Sequence, residues 1–158
     1  MPKVKVNGIN LYYEEHGQGY PVLFIHGFGG TTHMWAAQVP VLSRSYRFIT
    51  LDARGHGQSD SPPTVDRYSP DMAVEDIYQL LRHLKVSKAV IGGLSMGGYL
   101  SLRFHLRHPD VVSALILLAD KGEPGDPYDV GTGYNHSIAE VAGMVGGEIT
   151  HAPLPPGQ

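Results

Sequence analysis

The pentapeptide Gly93-Leu94-Ser95-Met96-Gly97 decides the fold of this chain. It follows the apolar run Ala89-Val90-Ile91 and leads into a stretch with helical character. Glycines on both sides of the serine indicate a tight turn between strand and helix, because glycine leaves room and tolerates a strained backbone. A serine on such a turn stands clear of the sheet at a helix N-terminus, where the helix dipole favours negative charge. Ser95 is therefore a candidate nucleophile.

The composition predicts one soluble globular domain and excludes several classes of function. The chain has 158 residues, 42% of them hydrophobic and 17% charged, which is enough to bury a core. A formal net charge of −3 without a basic run argues against nucleic acid as a partner. The absence of cysteine excludes disulfides, thiol catalysis and thiolate zinc sites. No apolar run approaches the ~20 residues of a membrane span, and the N-terminus lacks a signal peptide, so we expect a cytoplasmic protein without a membrane partner.

Apolar runs alternate with helical patterns along the first part of the chain. Asn7-Gly8 between two alternating segments predicts a β-hairpin. Short apolar runs predict buried strands at 22–25, 48–51, 89–92 and 112–118. Helical patterns lie between these runs, at 35–42 with Pro40 interrupting, at 70–84 with Ser69 as cap, and at 96–108 before Pro109. The alternation predicts an α/β fold with a three-layer, mostly parallel sheet of about six strands and helices on both faces.

Two further motifs stand at the ends of predicted strands, as the serine pentapeptide does. His26-Gly27-Phe28-Gly29-Gly30 follows the run at 22–25, and a charged, glycine-rich segment at 52–60 follows the next run. The three motifs together resemble those of the α/β-hydrolase superfamily, in particular its small esterase and enol-lactone hydrolase branch, over about residues 1–120. The resemblance implies a truncated α/β-hydrolase fold, no metal or organic cofactor, and a small-molecule ester or lactone as substrate.

The resemblance also implies roles for three residues. Ser95 would attack the substrate carbonyl, and the backbone N–H groups of Phe28 and Met96 would hold the resulting oxyanion. The glycines around Phe28 would let that loop approach the carbonyl, although an ordinary tight turn uses the same residue types.

Other residues near these motifs are interpreted as architecture. Arg54 and Asp52 are expected to brace a sharp turn, because loop carboxylates and guanidiniums usually pair. His26 is expected to support the oxyanion loop rather than to act as a base. The paired glycines around Ser95 lack the Gly-x-Gly-x-x-Gly order of a nucleotide-phosphate loop.

A serine nucleophile needs a histidine base and a carboxylate that orients the histidine, and in the resembled family both follow the serine. The strand pattern stops after the sixth strand, so the usual segments for these residues are not found. Asp120 directly follows the run at 112–118 and is the candidate acid, with a turn-capping role as the alternative.

The candidate bases are His151 and His136, either of which would have to fold back toward the serine. Surface loop histidines are common, so a role without chemistry is the alternative for both. His105 and His108 lie on the helix after the serine and are expected at its surface.

The segment 121–158 differs in character from the core predicted for 1–120. Its first part is rich in glycine, proline and aspartate, which predicts a loop, and Ser137-Ile138-Ala139-Glu140 matches the capping box of a short helix before an extended end. From residue 128 to 158, the motifs Asp129–Gly133, Ser137–Ala142 and Pro153–Gly157 resemble a fragment of a nucleotide-sugar epimerase of the extended short-chain dehydrogenase family. No epimerase activity is implied, because that family's nucleotide-binding and catalytic motifs are not found.

We therefore predict a serine hydrolase of carboxylic esters or lactones that forms an acyl-enzyme on Ser95. The alternative is a catalytically incomplete hydrolase-like domain, either a fusion product or a binding module. A third hypothesis completes the site with a histidine from a second chain. The apolar run at 115–118 would form a sheet edge, which predicts a homodimer through that edge, cover by the tail, or a protein of low stability.

Overall fold

The computed structural model describes residues 2–118, which belong to the first of two units into which the chain divides, Met1–Asp120 and Lys121–Gln158. The strands of the described part are β1 (Lys3–Val6), β2 (Ile9–His16), β3 (Tyr20–Ile25), β4 (Tyr46–Leu51), β5 (Ala89–Leu94) and β6 (Val112–Leu118). They form one six-stranded sheet in the order β1-β2-β4-β3-β5-β6. β3 pairs in parallel with β4 and β5, and β5 with β6, whereas β2 pairs antiparallel with β1 and β4. The predicted α/β fold with a mostly parallel sheet of six strands is confirmed.

The hairpin between β1 and β2 forms where the sequence predicts it. Its two turn residues, Asn7 and Gly8, have φ angles of 43° and 79°. Two positive φ angles are the requirement of the type I′ turn, whose twist matches that of the flanking strands. The Asn7 side chain also donates to the Met72 carbonyl oxygen at 3.2 Å, which ties the hairpin to a helix.

In the described residues, three α-helices and three short 3₁₀ segments connect the strands. They are α1 (Val39–Leu42), α2 (Pro70–His83) and α3 (Met96–Arg107), with the 3₁₀ segments at Thr32–Trp35, Val65–Arg67 and Pro109–Val111. The cap of α2 is as predicted, since the Ser69 Oγ accepts the Met72 N–H at 3.1 Å. The single helix predicted over 35–42 is wrong. Pro40 stands in the first turn of α1, the part of a helix that tolerates a residue without an N–H, so a new helix begins there.

Alternate residues of the parallel strands enter two apolar cores on opposite faces of the sheet. On one face α2 and α3 pack over a core whose strand residues include Leu23, Ile25, Ile49, Leu51 and Ile91. On the other face the segment Thr32–Trp35 and α1 cover a smaller core of Val22, Phe24, Trp35 and Phe48. Helical segments on both faces confirm the predicted three layers.

Strand β6 forms one edge of the sheet in residues 2–118. Its Ile116 side chain is 38% exposed. The predicted apolar edge is therefore present in the described part, while a homodimer through it remains a prediction. Among the helices of these residues, none is both long enough and apolar enough to cross a bilayer.

Candidate active site

Ser95 lies at the junction of β5 and α3, with a backbone that belongs to neither element. Its φ and ψ angles are 53° and −115°. A positive φ in a residue other than glycine costs on the order of 1–3 kcal/mol and persists where the surrounding structure enforces it. The Ser95 residue is exposed, and its side chain makes no capping bond to α3. The predicted tight turn is thus found, with the hydroxyl clear of the sheet.

Backbone packing explains why glycines flank the serine. A Cβ atom added to Gly97 would lie 2.6 Å from the carbonyl carbon of Ile25 and 2.8 Å from the carbonyl oxygen of His26. A Cβ atom added to Gly93 would lie 2.7 Å from the Ile25 carbonyl oxygen. The end of β3 therefore passes directly against the turn that carries Ser95.

We expect Gly97→Ala to lower the free energy of unfolding by about 3 kcal/mol, because backbone atoms cannot move aside as side chains do. Gly98→Ala is the matched control, since its added Cβ would lie no closer than 3.3 Å to a neighbour, the Gly93 carbonyl oxygen. That control should stay within about 1 kcal/mol of the wild type, because alanine is the better helix former. Chemical denaturation of both variants measures the difference, and equal stabilities would contradict the packing argument.

The loop after β3 lies against Ser95. The Gly30 N–H donates to the Gly27 carbonyl oxygen at 3.0 Å, which closes a four-residue turn. Gly29, in the third position of this turn, has a φ of 75°, a conformation that glycine adopts without strain. A Cβ atom added to Gly27 would lie 3.7 Å from the Ser95 Cβ. An ordinary tight turn explains the glycines but does not require this close approach to the serine.

One of the two predicted oxyanion donors lies within this turn, and the other directly follows the serine. Phe28 is the second residue of the turn, and its side chain is 85% exposed and meets the His56 ring edge-on at 5.7 Å. Met96 is the first residue of α3, where backbone N–H groups have no partner within the helix. Their roles as donors remain predictions.

His26 is fully buried, and both of its ring nitrogens are bonded. Nε2 accepts the Ala53 N–H at 2.9 Å, and Nδ1 lies 2.7 Å from the Gly27 carbonyl oxygen. Because a backbone N–H only donates, Nε2 carries no hydrogen, and Nδ1 is the protonated nitrogen that donates to Gly27. Burial lowers the pKa of His26, which keeps the ring neutral. The interpretation of His26 as a support of the loop is confirmed.

The charged loop after β4 is architecture, but its ion pair differs from the prediction. The Arg54 guanidinium binds the Asp76 carboxylate of α2 with two bonds of 2.7 and 2.9 Å, and both side chains are buried. Asp52 instead accepts the backbone N–H groups of Thr32 at 2.7 Å and Gln58 at 2.8 Å. The predicted pairing of Arg54 with Asp52 is wrong, because a helical carboxylate distant in sequence reaches the same turn. The sequence held one sign of this pairing: Asp76 is a carboxylate directly beside the apolar Ile77 in the predicted helix, and both residues are buried in the structure.

The candidate acid and the candidate bases, Asp120, His136 and His151, lie outside the described residues. His105 and His108, which were expected at the surface, are both half-buried. His108 stacks on Tyr78 of α2 with ring centroids 4.0 Å apart, because α3 packs against that helix.

Within residues 2–118, no group of three or more His, Cys, Asp or Glu side chains is placed to hold a metal ion.

A family model described as alpha/beta hydrolase fold matches residues 20–147. The chain belongs to the α/β-hydrolase fold family. The match includes the turn that carries Ser95, the loop after β3 and the charged loop after β4. It also overlaps the stretch 128–158, whose resemblance to an epimerase fragment gains no support and stays a prediction.

Three relatives show the range of hydrolases to which this α/β-hydrolase is similar. The AB hydrolase superfamily protein YisY of Bacillus subtilis (strain 168) is 35% identical over 127 residues, which are 76% of this chain and 47% of YisY. An epoxide hydrolase of Caballeronia sordidicola is 37% identical over 117 residues, 73% of this chain and 36% of that protein. The solved structure of Est816, described as an N-acyl homoserine lactone degrading enzyme, has a TM-score of 0.71 at 34% identity and covers 75% of this chain and 45% of Est816. The chain spans less than half the length of these proteins.

Proposed function

We propose that this α/β-hydrolase hydrolyses carboxylic esters or lactones through an acyl-enzyme on Ser95. The observation that carries the proposal is the close approach of the turn Gly27–Gly30 to the exposed, strained Ser95, which leaves no more than van der Waals room for a Cβ atom at Gly27. In the proposed reaction the Ser95 Oγ attacks the carbonyl carbon, and the oxyanion that forms accepts hydrogen bonds from the Phe28 and Met96 N–H groups. A base takes the Ser95 proton and passes it to the alcohol oxygen of the substrate, which leaves as the oxyanion collapses to the acyl-enzyme. Water then attacks the acyl carbonyl carbon, and the same two N–H groups stabilise the second oxyanion. Its collapse releases the carboxylic acid and restores the Ser95 hydroxyl.

Epoxide hydrolysis is the second candidate function, because epoxide hydrolases are among the relatives. The chemistry of a serine nucleophile separates the two candidates. A carboxylic substrate leaves an ester on the Ser95 Oγ, and water can attack the carbonyl carbon of that ester. An epoxide opened by the same oxygen leaves a β-hydroxy ether once the released alkoxide takes a proton. That ether has no carbonyl group for water to attack, so the enzyme would stay alkylated. A serine at position 95 therefore supports hydrolysis of esters and lactones over hydrolysis of epoxides.

The proposed reaction needs a base, and His26 is unsuited because both of its nitrogens are bonded in a buried site. We propose that base and acid come from outside residues 2–118, with His151 or His136 as base and Asp120 as acid within this chain. Loss of turnover in only one of the variants His136→Ala and His151→Ala would identify the base. A rate per molecule that rises with protein concentration would instead favour a site completed by a second chain.

The test compares substrates and labels the nucleophile in the full chain. We expect hydrolysis of p-nitrophenyl butyrate and γ-butyrolactone above the buffer rate, and none of styrene oxide. A fluorophosphonate should add its phosphonyl group to the peptide that contains Ser95, as mass spectrometry would detect. Turnover of the epoxide without turnover of either carboxylic substrate would overturn the proposal. A folded chain that hydrolyses nothing and takes no label would establish the incomplete domain.

A further inference from the structure

The buried His26 supports an inference that rests on the proposed function. We propose that His26 is a positioning residue, which sets the orientation of the Gly27–Phe28 peptide group and so aims the Phe28 N–H at the substrate oxyanion. It does this without touching the substrate, through one hydrogen bond to the Gly27 carbonyl oxygen.

The first step is the fixed state of the ring. The Ala53 N–H occupies the Nε2 lone pair, so the only hydrogen on the ring is on Nδ1 and points at the Gly27 carbonyl oxygen, 2.7 Å away. Turning the ring over would place carbon atoms where the two nitrogens now lie. The Ala53 N–H and the Gly27 carbonyl oxygen would then lose their hydrogen bonds to His26, which is 0% exposed. An unpaired buried polar group costs roughly 1–3 kcal/mol, which holds the ring in one orientation.

The second step follows from the geometry of a peptide group. The Gly27 carbonyl and the Phe28 N–H belong to the same planar group, and residues 2–118 contain no cis peptide bond. In a trans peptide the carbonyl oxygen and the amide hydrogen point in opposite directions. The His26 ring and the Gly30 N–H hold the oxygen on one side. The Phe28 N–H therefore points to the other side, away from the His26 ring.

The third step is what fixes the ring to the rest of the molecule. Ala53, which donates to His26, stands between Asp52 and Arg54. Asp52 accepts the Thr32 N–H, at the far end of the same loop, and Arg54 is paired with Asp76 of α2. Both ends of the loop after β3 are thus bonded to one turn, which is itself bonded to a helix.

Two substitutions separate the two bonds of His26. In His26→Asn the amide nitrogen takes about the place of Nδ1 and can still donate to Gly27, but nothing reaches Ala53. In His26→Gln the longer amide takes about the place of Nε2 and can still accept from Ala53, but no donor faces Gly27. Each variant removes one hydrogen bond and the imidazole ring, so the two should lose similar amounts of stability. Only His26→Gln releases the Gly27–Phe28 peptide group.

We expect His26→Gln to lower kcat for p-nitrophenyl butyrate by about 10- to 100-fold, less than the loss of a whole oxyanion donor because Gly30 still holds the peptide. His26→Asn should keep kcat within about 3-fold of wild type, and KM should change little in both, because the donor acts on the oxyanion rather than on the bound ester. Equal kcat values for the two variants, or a larger loss in His26→Asn, would overturn the inference. Denaturation of both variants shows whether stability alone explains the rates.

Two measurements by NMR keep the inference testable apart from turnover. In the wild type the ¹⁵N shifts of the His26 ring should show a protonated Nδ1 and an unprotonated Nε2, and the opposite pattern would overturn the inference even if His26→Gln fails to fold. The amide resonance of Phe28 should move in His26→Gln and stay in place in His26→Asn. If the wild type shows no ester turnover, the proposed function is wrong. The shift of the Phe28 amide resonance in the two variants would then still test whether His26 orients the Gly27–Phe28 peptide group.

Discussion

Replacement of Ser95 by alanine should remove ester hydrolysis and leave the fold intact. Loss of the attacking oxygen from a serine hydrolase lowers kcat by roughly 10⁴- to 10⁶-fold, and the remaining rate comes from oxyanion stabilisation and binding. The Ser95 residue is exposed and its side chain makes no capping bond, so packing does not depend on it. Initial rates with p-nitrophenyl butyrate measure the loss. Wild-type turnover in a folded Ser95→Ala protein would mean that another residue is the nucleophile.

Ser95→Gly is the matched control for the strained backbone. It removes the same hydroxyl and should be equally inactive, but glycine adopts a φ of 53° without the penalty that alanine retains. We expect the glycine variant to be more stable than the alanine variant by about 1 kcal/mol, after the greater freedom of glycine in the unfolded chain is subtracted. Thermal unfolding of the two proteins measures this difference. A more stable alanine variant would show that the turn is not strained.

Breaking the buried ion pair should have the largest effect on stability. Arg54 and Asp76 are 3% and 2% exposed in their side chains, and they share two hydrogen bonds. Removal of one partner leaves a buried charge uncompensated, which costs about 3–5 kcal/mol. We expect this loss in Arg54→Met and in Asp76→Leu, measured by denaturant unfolding. Asp71→Ala on the same helix is the control, because the Asp71–Arg103 pair is exposed and such pairs contribute about 1 kcal/mol or less.

The double variant Arg54→Met/Asp76→Leu tests whether the pair accounts for the loss. Apolar residues that replace both partners of a buried pair are often neutral, so we expect most of the lost stability to return. Burial raises the pKa of the Asp76 carboxyl, and the bonds from Arg54 and Asn7 oppose that rise. In Arg54→Met the effect of burial on the Asp76 pKa should prevail, so the folded state keeps the proton to a higher pH than the unfolded chain does. The variant should then lose stability as the pH rises above the ordinary pKa range of an aspartate. A double variant no more stable than the single variants would contradict this account.

Features that depend on a few neighbouring residues could be predicted from the sequence alone. The Asn7-Gly8 turn forms because both positions accept a positive φ, and α2 begins directly after Ser69 because the Ser69 hydroxyl caps its first turn. The turn at Ser95 could be predicted in the same way, since glycine on both sides of a serine indicates a tight turn, although the backbone that crowds Gly97 belongs to the end of β3. Apolar runs likewise placed the strands, because a buried parallel strand needs apolar residues on both faces.

Only the tertiary structure decided which distant residues meet. β3 and β4 are neighbours in the sheet, so the loops that follow them lie side by side and residues 20 to 27 positions apart become bonded partners: Thr32 with Asp52, and His26 with Ala53. The partner of Arg54 depends on where α2 packs, which no spacing in the chain reveals. The sequence by itself determined that a serine would stand on a strained turn between strand and helix. Whether His26 was free to act as a base was decided by the fold, because the Ala53 N–H that occupies its second nitrogen comes from a different strand end.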